Sequence, residues 1–534
     1  MRISRIKIEN HSRLADFEIE VREHLILVGA NEVGKSSLLR CLDLLLDASA
    51  AKLYANVSTT DFRDGSQPLV VEADLEDFSD GDRALYPDEI QIDPITGSEL
   101  LTVRLSAVLD ATEAVVILRN APSGGTNRQL SRDQVLGLGW KFLSAASQSR
   151  ELREDRRSPL NEILEAVDLG AEKADFEAIA KSLVNQLTES SILGNLRSDI
   201  ADQLSKALPE PLAKDDLALV PGAAADNDVL SDVRLQISKA GIARDLSEQS
   251  DGMKALFAIA FYDLYNGGAN VFGIDEPEEH LHPTSQRSLA RLLKDRPNQK
   301  VIATHSSDIV SAFDPDTVVV IRRGGEVVQP TAGFLSSEEK LAVSWWVRGR
   351  LEPLTSRRVI VVEGLSDRII VERAADLTGR NLDRLGVSLV DAGGKNSIPA
   401  VEKLFGRSGF DVPLFQLVDE DFEADTARRL GVMNSDLPQQ SVWVSRVDLE
   451  DEYVRAVGAP GVWSALSASS MFSRNQLSNC VPTGPSGTYT DADVATFCRS
   501  HKVEGAIVVA GLLTDALARS IASVESLLTD AASP

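Results

Sequence analysis

Gly29-Ala30-Asn31-Glu32-Val33-Gly34-Lys35-Ser36 fits the spacing GxxxxGK[ST] without deviation. The chemistry of that spacing is phosphate binding. Gly29 and Gly34 let backbone N–H groups converge on phosphate oxygens, Lys35 reaches the β and γ phosphates, and the Ser36 hydroxyl can ligate Mg²⁺; Asn31 and Ser37 belong to the same nucleotide-binding loop. Downstream, the apolar run Val271–Ile274 ends in Asp275-Glu276. One carboxylate there suits the magnesium shell, and the second can orient or deprotonate an attacking water. In the C-terminal half, Val359–Val362 delivers Glu363 and, four residues on, Asp367, while Phe415–Val418 delivers Asp419-Glu420-Asp421. Two residues apart at a strand end, Asp419 and Asp421 can point toward one site and be joined there by Glu363. Clustered carboxylates without cysteine or histidine favour a hard cation, Mg²⁺ or Mn²⁺. Without metal such a cluster repels itself.

These residues need elements to hold them. Leu25–Val28 reads as a buried strand running into the phosphate loop, and Ser36–Leu46 as the helix that follows. Strands are expected near Ile3–Ile8, Phe17–Val21, Leu69–Leu75, Leu101–Leu109 and Val115–Leu118, giving an α/β domain with a β-rich flank. Between residues 133 and 225 the pattern turns helical, with Phe176, Ile179, Ala180, Leu183, Val184 and Leu187 on one face, so a helical insertion is expected. Strand and helix patterns resume at Val233–Ile237, the helix after Asp251, Val271–Ile274 and Lys300–Ala303, which makes the first α/β domain discontinuous. A helical link passes through Trp345 and Trp346. A second alternation then begins, with strands at Arg358–Val362, Val387–Val390, Leu414–Val418, Ser441–Val444 and Ala506–Val509. The expected organisation is 1–132 and 226–340 for the first domain, 133–225 for the insertion, 341–356 for a linker and 357–534 for a second open sheet.

The 534 residues are too many for one core. At 43% hydrophobic and 25% charged, the composition is that of a folded soluble chain. The N-terminus lacks the pattern of a signal peptide, and no stretch approaches the ~20 apolar residues of a membrane span. Three cysteines, far apart and odd in number, form neither a disulfide framework nor a CxxC knuckle, so a reducing, cytoplasmic setting is expected. The net charge of −26 opposes long-range attraction to DNA, yet salt screens it beyond ~10 Å, so local basic patches or bound metal can still create a binding surface. Arg150, Arg153, Arg156 and Arg157 form one basic cluster, either a solvated face or a phosphate contact.

The phosphate loop, Asp275-Glu276 followed by Pro277-Glu278-Glu279-His280-Leu281-His282-Pro283, and the strand into Thr304-His305-Ser306 together resemble the ABC-type ATPases, in the branch shared with SMC and recombination ATPases. The resemblance makes Asp275 the Walker B acid, Glu276 the catalytic glutamate and His305 the switch histidine sensing the γ-phosphate. Leu246–Lys254 stands where that family carries LSGGQ, departs from it, and leaves Ser250 and Gly252 as signature residues, although Ser250 also suits a plain helix cap. That motif contacts nucleotide on the other subunit, so a homodimer or higher oligomer through the ATPase half is implied. No heptad run or zinc hook separates Ser36 from Asp275, which excludes a long-armed SMC architecture.

The glutamate after the first C-terminal strand and the Asp-x-Asp after the third resemble the Toprim domain. An ABC-type ATPase followed by Toprim resembles, over nearly the whole chain, the OLD-family (overcoming lysogenization defect) nucleases, which include the nuclease of Gabija-type phage defence. The resemblance implies ATP and Mg²⁺ as cofactors, with Mn²⁺ possible in the nuclease site, and makes Glu363, Asp367, Asp419 and Asp421 the core ligands of two metals that activate water. Glu450, chosen over Asp451, is a further acid, and Lys502 a group to stabilise charge developing on phosphorus. The expectation is a metal-dependent DNA endonuclease regulated by a dimeric ATPase, acting in phage defence or DNA repair, with room for a helicase partner and no membrane. The alternative is a nucleotide-gated DNA clamp or sensor that does not cut.

Overall fold

The computed structural model describes residues 1–124, 128–144, 182, 185–207, 211–221, 233–239, 242–245, 253, 270–340, 343, 351–394 and 397–533. The chain divides into two compact units, Met1–Val328 and Gln329–Pro534. In the first, the elements are β1 (Arg2–Glu9), β2 (Phe17–Glu20), β3 (Leu25–Gly29), α1 (Lys35–Leu46), β4 (Leu69–Glu76), β5 (Gln91–Ile92), β6 (Glu99–Leu109), β7 (Val115–Asn120), β8 (Trp140–Ser144), α2 (Ser191–Ala207), β9 (Leu217–Pro221), β10 (Val233–Lys239), β11 (Ile242–Asp245), β12 (Val271–Asp275), α3 (Pro283–Lys294), β13 (Gln299–Thr304), β14 (Val318–Ile321) and β15 (Val327–Val328).

One sheet of this unit has the order β15-β14-β3-β13-β12-β8, parallel except for β15. Every residue of β3 and β13 is buried; β3 reads as a continuous apolar run, while β13 also buries Gln299, Lys300 and Thr304 around its apolar centre. The antiparallel sheet beside it runs β2-β1-β4-β6-β5, with β7 on β6. On β1 the buried residues Ile3 and Ile6 are three apart, which strict alternation forbids; a register shift between Ile3 and Arg5 returns both to the core face.

The insertion expected to be helical is not helical throughout. Trp140–Ser144 is a strand that extends the parallel sheet alongside β12, and Leu217–Pro221 pairs with β10 in a three-stranded antiparallel sheet. Short apolar runs fit strand or buried helix equally well in sequence, and the partner strand decides. The described helices of the insertion include Arg132–Gly137 and α2. Phe176, Ile179, Ala180, Leu183, Val184, Trp345, Trp346, the helix expected after Asp251 and the four arginines at 150, 153, 156 and 157 lie outside the described residues.

The second unit contains β16 (Arg358–Val362), α4 (Leu365–Leu377), β17 (Val387–Asp391), β18 (Leu414–Asp419), α5 (Glu420–Leu430), β19 (Val442–Ser445), α6 (Leu449–Val457), α7 (Asp491–Ser500), α8 (Lys502–Leu512) and α9 (Ala522–Ala531). Its sheet, β17-β16-β18-β19, is entirely parallel. Strand order reverses at β16, and the crevice at such a switch point, beyond the carboxyl ends of the strands, is where open α/β sheets place ligands. Ala506–Val509, expected as a last strand, lies inside α8: Ala506 and Val509 are buried while Ile507 is exposed, a helical rather than alternating pattern. The unit also begins earlier than the expected boundary at 340. Thr331 N–H donates to Ser408 O at 2.8 Å, Phe334 meets Phe410 edge-on, and Lys403 pairs with Glu339 at 2.6 Å.

Candidate functional site

In the first unit, β3 ends at Gly29 and α1 begins at Lys35, so the phosphate loop spans the strand-to-helix turn. Gly34 has φ 118°, and a Cβ there would lie 2.6 Å from the Leu14 side chain; only glycine fits. Lys35 Nζ donates to Gly29 O (3.1 Å) and Ala30 O (3.0 Å) and lies 2.7 Å from His305 Nε2. An ammonium at that distance opposes a second positive charge on the imidazole. Burial and the nearby Lys35 charge both lower its pKa. Burial likewise lowers that of Lys35, against the pull of Glu276 and Asp275.

The parallel register Asp275↔Ala303 brings the ends of β12 and β13 together. Ser36 Oγ donates to Asp275 Oδ1 at 3.1 Å, and Glu276 Oε1 lies 3.3 Å from His305 Nε2. Glu276 sits at φ 49°, a left-handed conformation uncommon for a non-glycine residue. Burial raises the pKa of Asp275, and Glu276 adds to the effect. These groups face a cleft of about 820 Å³ lined by Asn31, Gly34, Lys35, Ser36, Ser37, Glu276 and His305, and also by Arg13 and Glu278.

Sequence reasoning assigned no role to Glu278 or Arg13. Glu278 Oε1 accepts from the backbone N–H of both His305 and Ser306 and so fixes the histidine loop. The signal for it was present in the run after Asp275. Arg13, on a loop far from any motif, offered none. Ser250 and Gly252 lie outside the described residues.

In the second unit, the acids collect at the carboxyl edge of the parallel sheet. Glu363 follows β16, Asp367 lies in the first turn of α4, Asp419 ends β18, and Glu450 lies in the first turn of α6. Asp367 Oδ2 accepts from Gly364 N–H at 3.0 Å, and Asp419 Oδ1 accepts from Leu449 N–H at 3.3 Å. Burial, then Asp367, Glu363 and Glu450 in turn, push the Asp419 carboxyl up to about 8. Burial raises Asp367 and Glu450 as well. Burial works against the Lys502 ammonium, but Glu450, Glu363, Asp367 and Asp419 outweigh it and raise its pKa.

Glu450 is 1% exposed, and neither of its carboxylate oxygens has a hydrogen-bond partner; Lys502 Nζ stands 4.0 Å away. Such a group is costly unless a cation completes it. Among the described residues no three acid, histidine or cysteine groups already stand at ligand spacing. The all-oxygen donor set nevertheless fits a hard divalent cation, and the orphaned Glu450 oxygens mark where one is wanted.

Asp421 is placed differently from its expected partner: it is exposed in the first turn of α5, whereas Asp419 ends β18. The pairing argument needs a strand through both residues, but the strand ends at Asp419 and the chain is helical from Glu420 on. Two further residues, absent from the sequence reading, stand beside the cluster: the Arg499 side chain donates to Asp448, the cap of α6.

The folds and sites define a class: a P-loop ATPase with an ABC-type nucleotide cleft, joined in one chain to a Toprim-type parallel sheet. Residues 25–311 match the family described as "AAA domain, putative AbiEii toxin, Type IV TA system", and residues 354–421 match "Overcoming lysogenization defect protein-like, TOPRIM domain". The first match spans more than half of the chain, which therefore belongs to that AAA family and, with the second, to the OLD family of ATPase–Toprim proteins. The OLD nuclease of Thermus scotoductus is 23% identical over 460 residues, 78% of this chain and 82% of that protein. Endonuclease GajA of Bacillus cereus is 20% identical over 433 residues, 74% of this chain and 71% of that protein. The Old nuclease of Escherichia phage P2 is 21% identical over 469 residues, 79% of this chain and 78% of that protein. No described helix is long and apolar enough to cross a membrane.

Proposed function

We propose that the chain is a divalent-metal-dependent DNA endonuclease whose Toprim site cuts under the control of an ATP-binding, dimerising ATPase unit. The carrying observation is the acid edge of the second sheet. Four carboxylates from three strand ends converge beside Lys502, the most buried of them with both oxygens unpartnered. A purely structural ion cluster would hydrogen-bond such a group. The names of the three relatives support the same reading.

In this reading Glu363, Asp367, Asp419 and Glu450 hold Mg²⁺ or Mn²⁺, with Asp421 available from the outer turn, and the resemblance to Toprim nucleases suggests two ions. A divalent cation bound there supplies the polarisation of water and phosphate that phosphodiester hydrolysis needs. Lys502 stabilises negative charge developing on the phosphate. In the other unit Gly29, Asn31, Gly34, Lys35, Ser36, Ser37 and Asp275 hold magnesium nucleotide, Glu276 orients or deprotonates water, and His305, released from Lys35 when phosphate draws the ammonium away, faces the γ-phosphate. Ser250 and Gly252 complete the partner's nucleotide site. Phage defence or DNA repair is the role that the resemblance to the OLD family suggests, and a helicase partner remains part of the proposal rather than of the chain.

Supercoiled plasmid incubated with the full-length protein and Mn²⁺ or Mg²⁺ tests the proposal. Nicked or linear product is expected, lost in EDTA and in Asp419→Ala. Tight DNA binding with no product under either metal would instead favour the clamp.

A further inference from the structure

Val447, in the turn between β19 and α6, has φ 67°. A β-branched residue rarely adopts that backbone, and glycine or asparagine would hold it at less cost. Hydrogen bonds pin the turn at every step. Arg446 N–H donates to Glu452 Oε1 (2.8 Å), Val447 N–H to Glu420 Oε2 (2.8 Å), Leu449 N–H to Asp419 Oδ1 (3.3 Å), and Asp451 N–H to Asp448 Oδ1 (2.8 Å). Glu452 is buried and also accepts from the Ser523 backbone (3.2 Å) and hydroxyl (2.7 Å), tying the turn to α9.

The side chain held this way is apolar and 51% exposed. It stands three residues before Glu450 and one hydrogen-bonded turn from Asp419. Leu365, 49% exposed, follows Glu363 at the end of β16, so the two apolar side chains leave strands on either side of β18. Arg446 adds a guanidinium 62% exposed, 3.5 Å from Glu420 and 3.6 Å from Glu423, able to exchange a carboxylate for a phosphate. Phosphates and sugars of paired DNA offer an apolar side chain little. An unstacked base or an opened base step offers it a face.

We propose that Val447, with Leu365 flanking the acids, is a specificity-determining contact for an unstacked base beside the scissile phosphate, so that the site selects DNA containing unpaired or distorted nucleotides. The proposal rests on the nuclease reading and deepens it. Fluorescence anisotropy on the full-length protein, in Ca²⁺, compares a fully paired duplex with the same duplex carrying a central bubble. The expected wild-type preference for the bubble is about tenfold, equivalent to about 1.4 kcal/mol. Val447→Gly and Val447→Asn, both compatible with the left-handed backbone, fall below about twofold, while Val447→Leu keeps the preference. Equal affinity of the wild type for both DNAs, or an unchanged preference in Val447→Asn, overturns the proposal. A wild type that cuts nothing in Mn²⁺ or Mg²⁺, yet shows the Val447-dependent preference, sinks the nuclease reading and leaves this contact standing.

Discussion

A carboxyl at the end of a buried strand is held against its preference. Asp419 titrates near 8 rather than 3.8 because burial and the neighbouring acids oppose its charge. The metal-free folded chain therefore binds a proton there that the unfolded chain releases, across the window from about pH 4 to about pH 8. A raised acid pKa means that stability is present at low pH and is lost as pH rises through the folded value. If Asp419 ligates metal as proposed, metal displaces that proton, and its affinity should rise about tenfold per pH unit up to the same limit. Thermal unfolding with and without Mn²⁺ should show this. Asp419→Asn is expected to flatten the metal-free pH slope, to raise the melting temperature near pH 8 and to abolish the rise on adding Mn²⁺. An asparagine variant that Mn²⁺ still stabilises as fully as the wild type would remove Asp419 from the ligand set.

Positioning by whole elements explains why such residues meet. Glu363, Asp367, Asp419 and Glu450 all follow strands at the carboxyl edge of one parallel sheet, and the phosphate loop, Asp275 and His305 likewise follow β3, β12 and β13 at one edge of another. The strand carrying Asp275 depends on a neighbour that sequence reasoning did not foresee. Trp140 of β8 is buried over Gly273, where a Cβ would lie 2.3 Å from the indole ring. Gly273→Ala must displace the ring or the strand, and overpacking of this kind costs about 1–3 kcal/mol. Urea unfolding should register that loss, with weaker nucleotide binding because Asp275 shifts with its strand. An unchanged midpoint would show that β8 yields freely.

Across the molecule, the residues proposed to hydrolyse ATP lie in Met1–Val328, and those proposed to cut DNA lie in Gln329–Pro534. Phosphodiester hydrolysis needs no energy from ATP. Nucleotide can then influence cleavage only by favouring one state over another, a coupling of about 1–3 kcal/mol in allosteric proteins generally. Full-length Glu276→Gln should retain ATP and still cut, with an altered ATP response, and the fragment Gln329–Pro534 should fold and nick weakly in Mn²⁺. A fragment begun at Thr355 would lack Thr331, Phe334 and Glu339, whose contacts with Ser408, Phe410 and Lys403 belong to the unit, and should be less stable. Cleavage that occurs only during hydrolysis would refute the separation. Light scattering should find a dimer at micromolar concentration, and a monomer with and without ATP would rule out the two-subunit nucleotide sandwich.

The sequence by itself determined what depends on local order. The phosphate loop, the apolar strands ending in acids and the break into two α/β units were legible because a glycine spacing or a buried parallel strand is written in consecutive residues. Tertiary structure alone decided what depends on neighbours. It made Trp140–Ser144 an edge strand, turned Ala506–Val509 into helix, set Asp421 outward and buried Glu450 beside Lys502. The physical reason is the same in each case: a short apolar run or a lone acid carries no local preference strong enough to fix its state. Packing against a residue tens to hundreds of positions away, and the loss of water around it, supply the free energy that does.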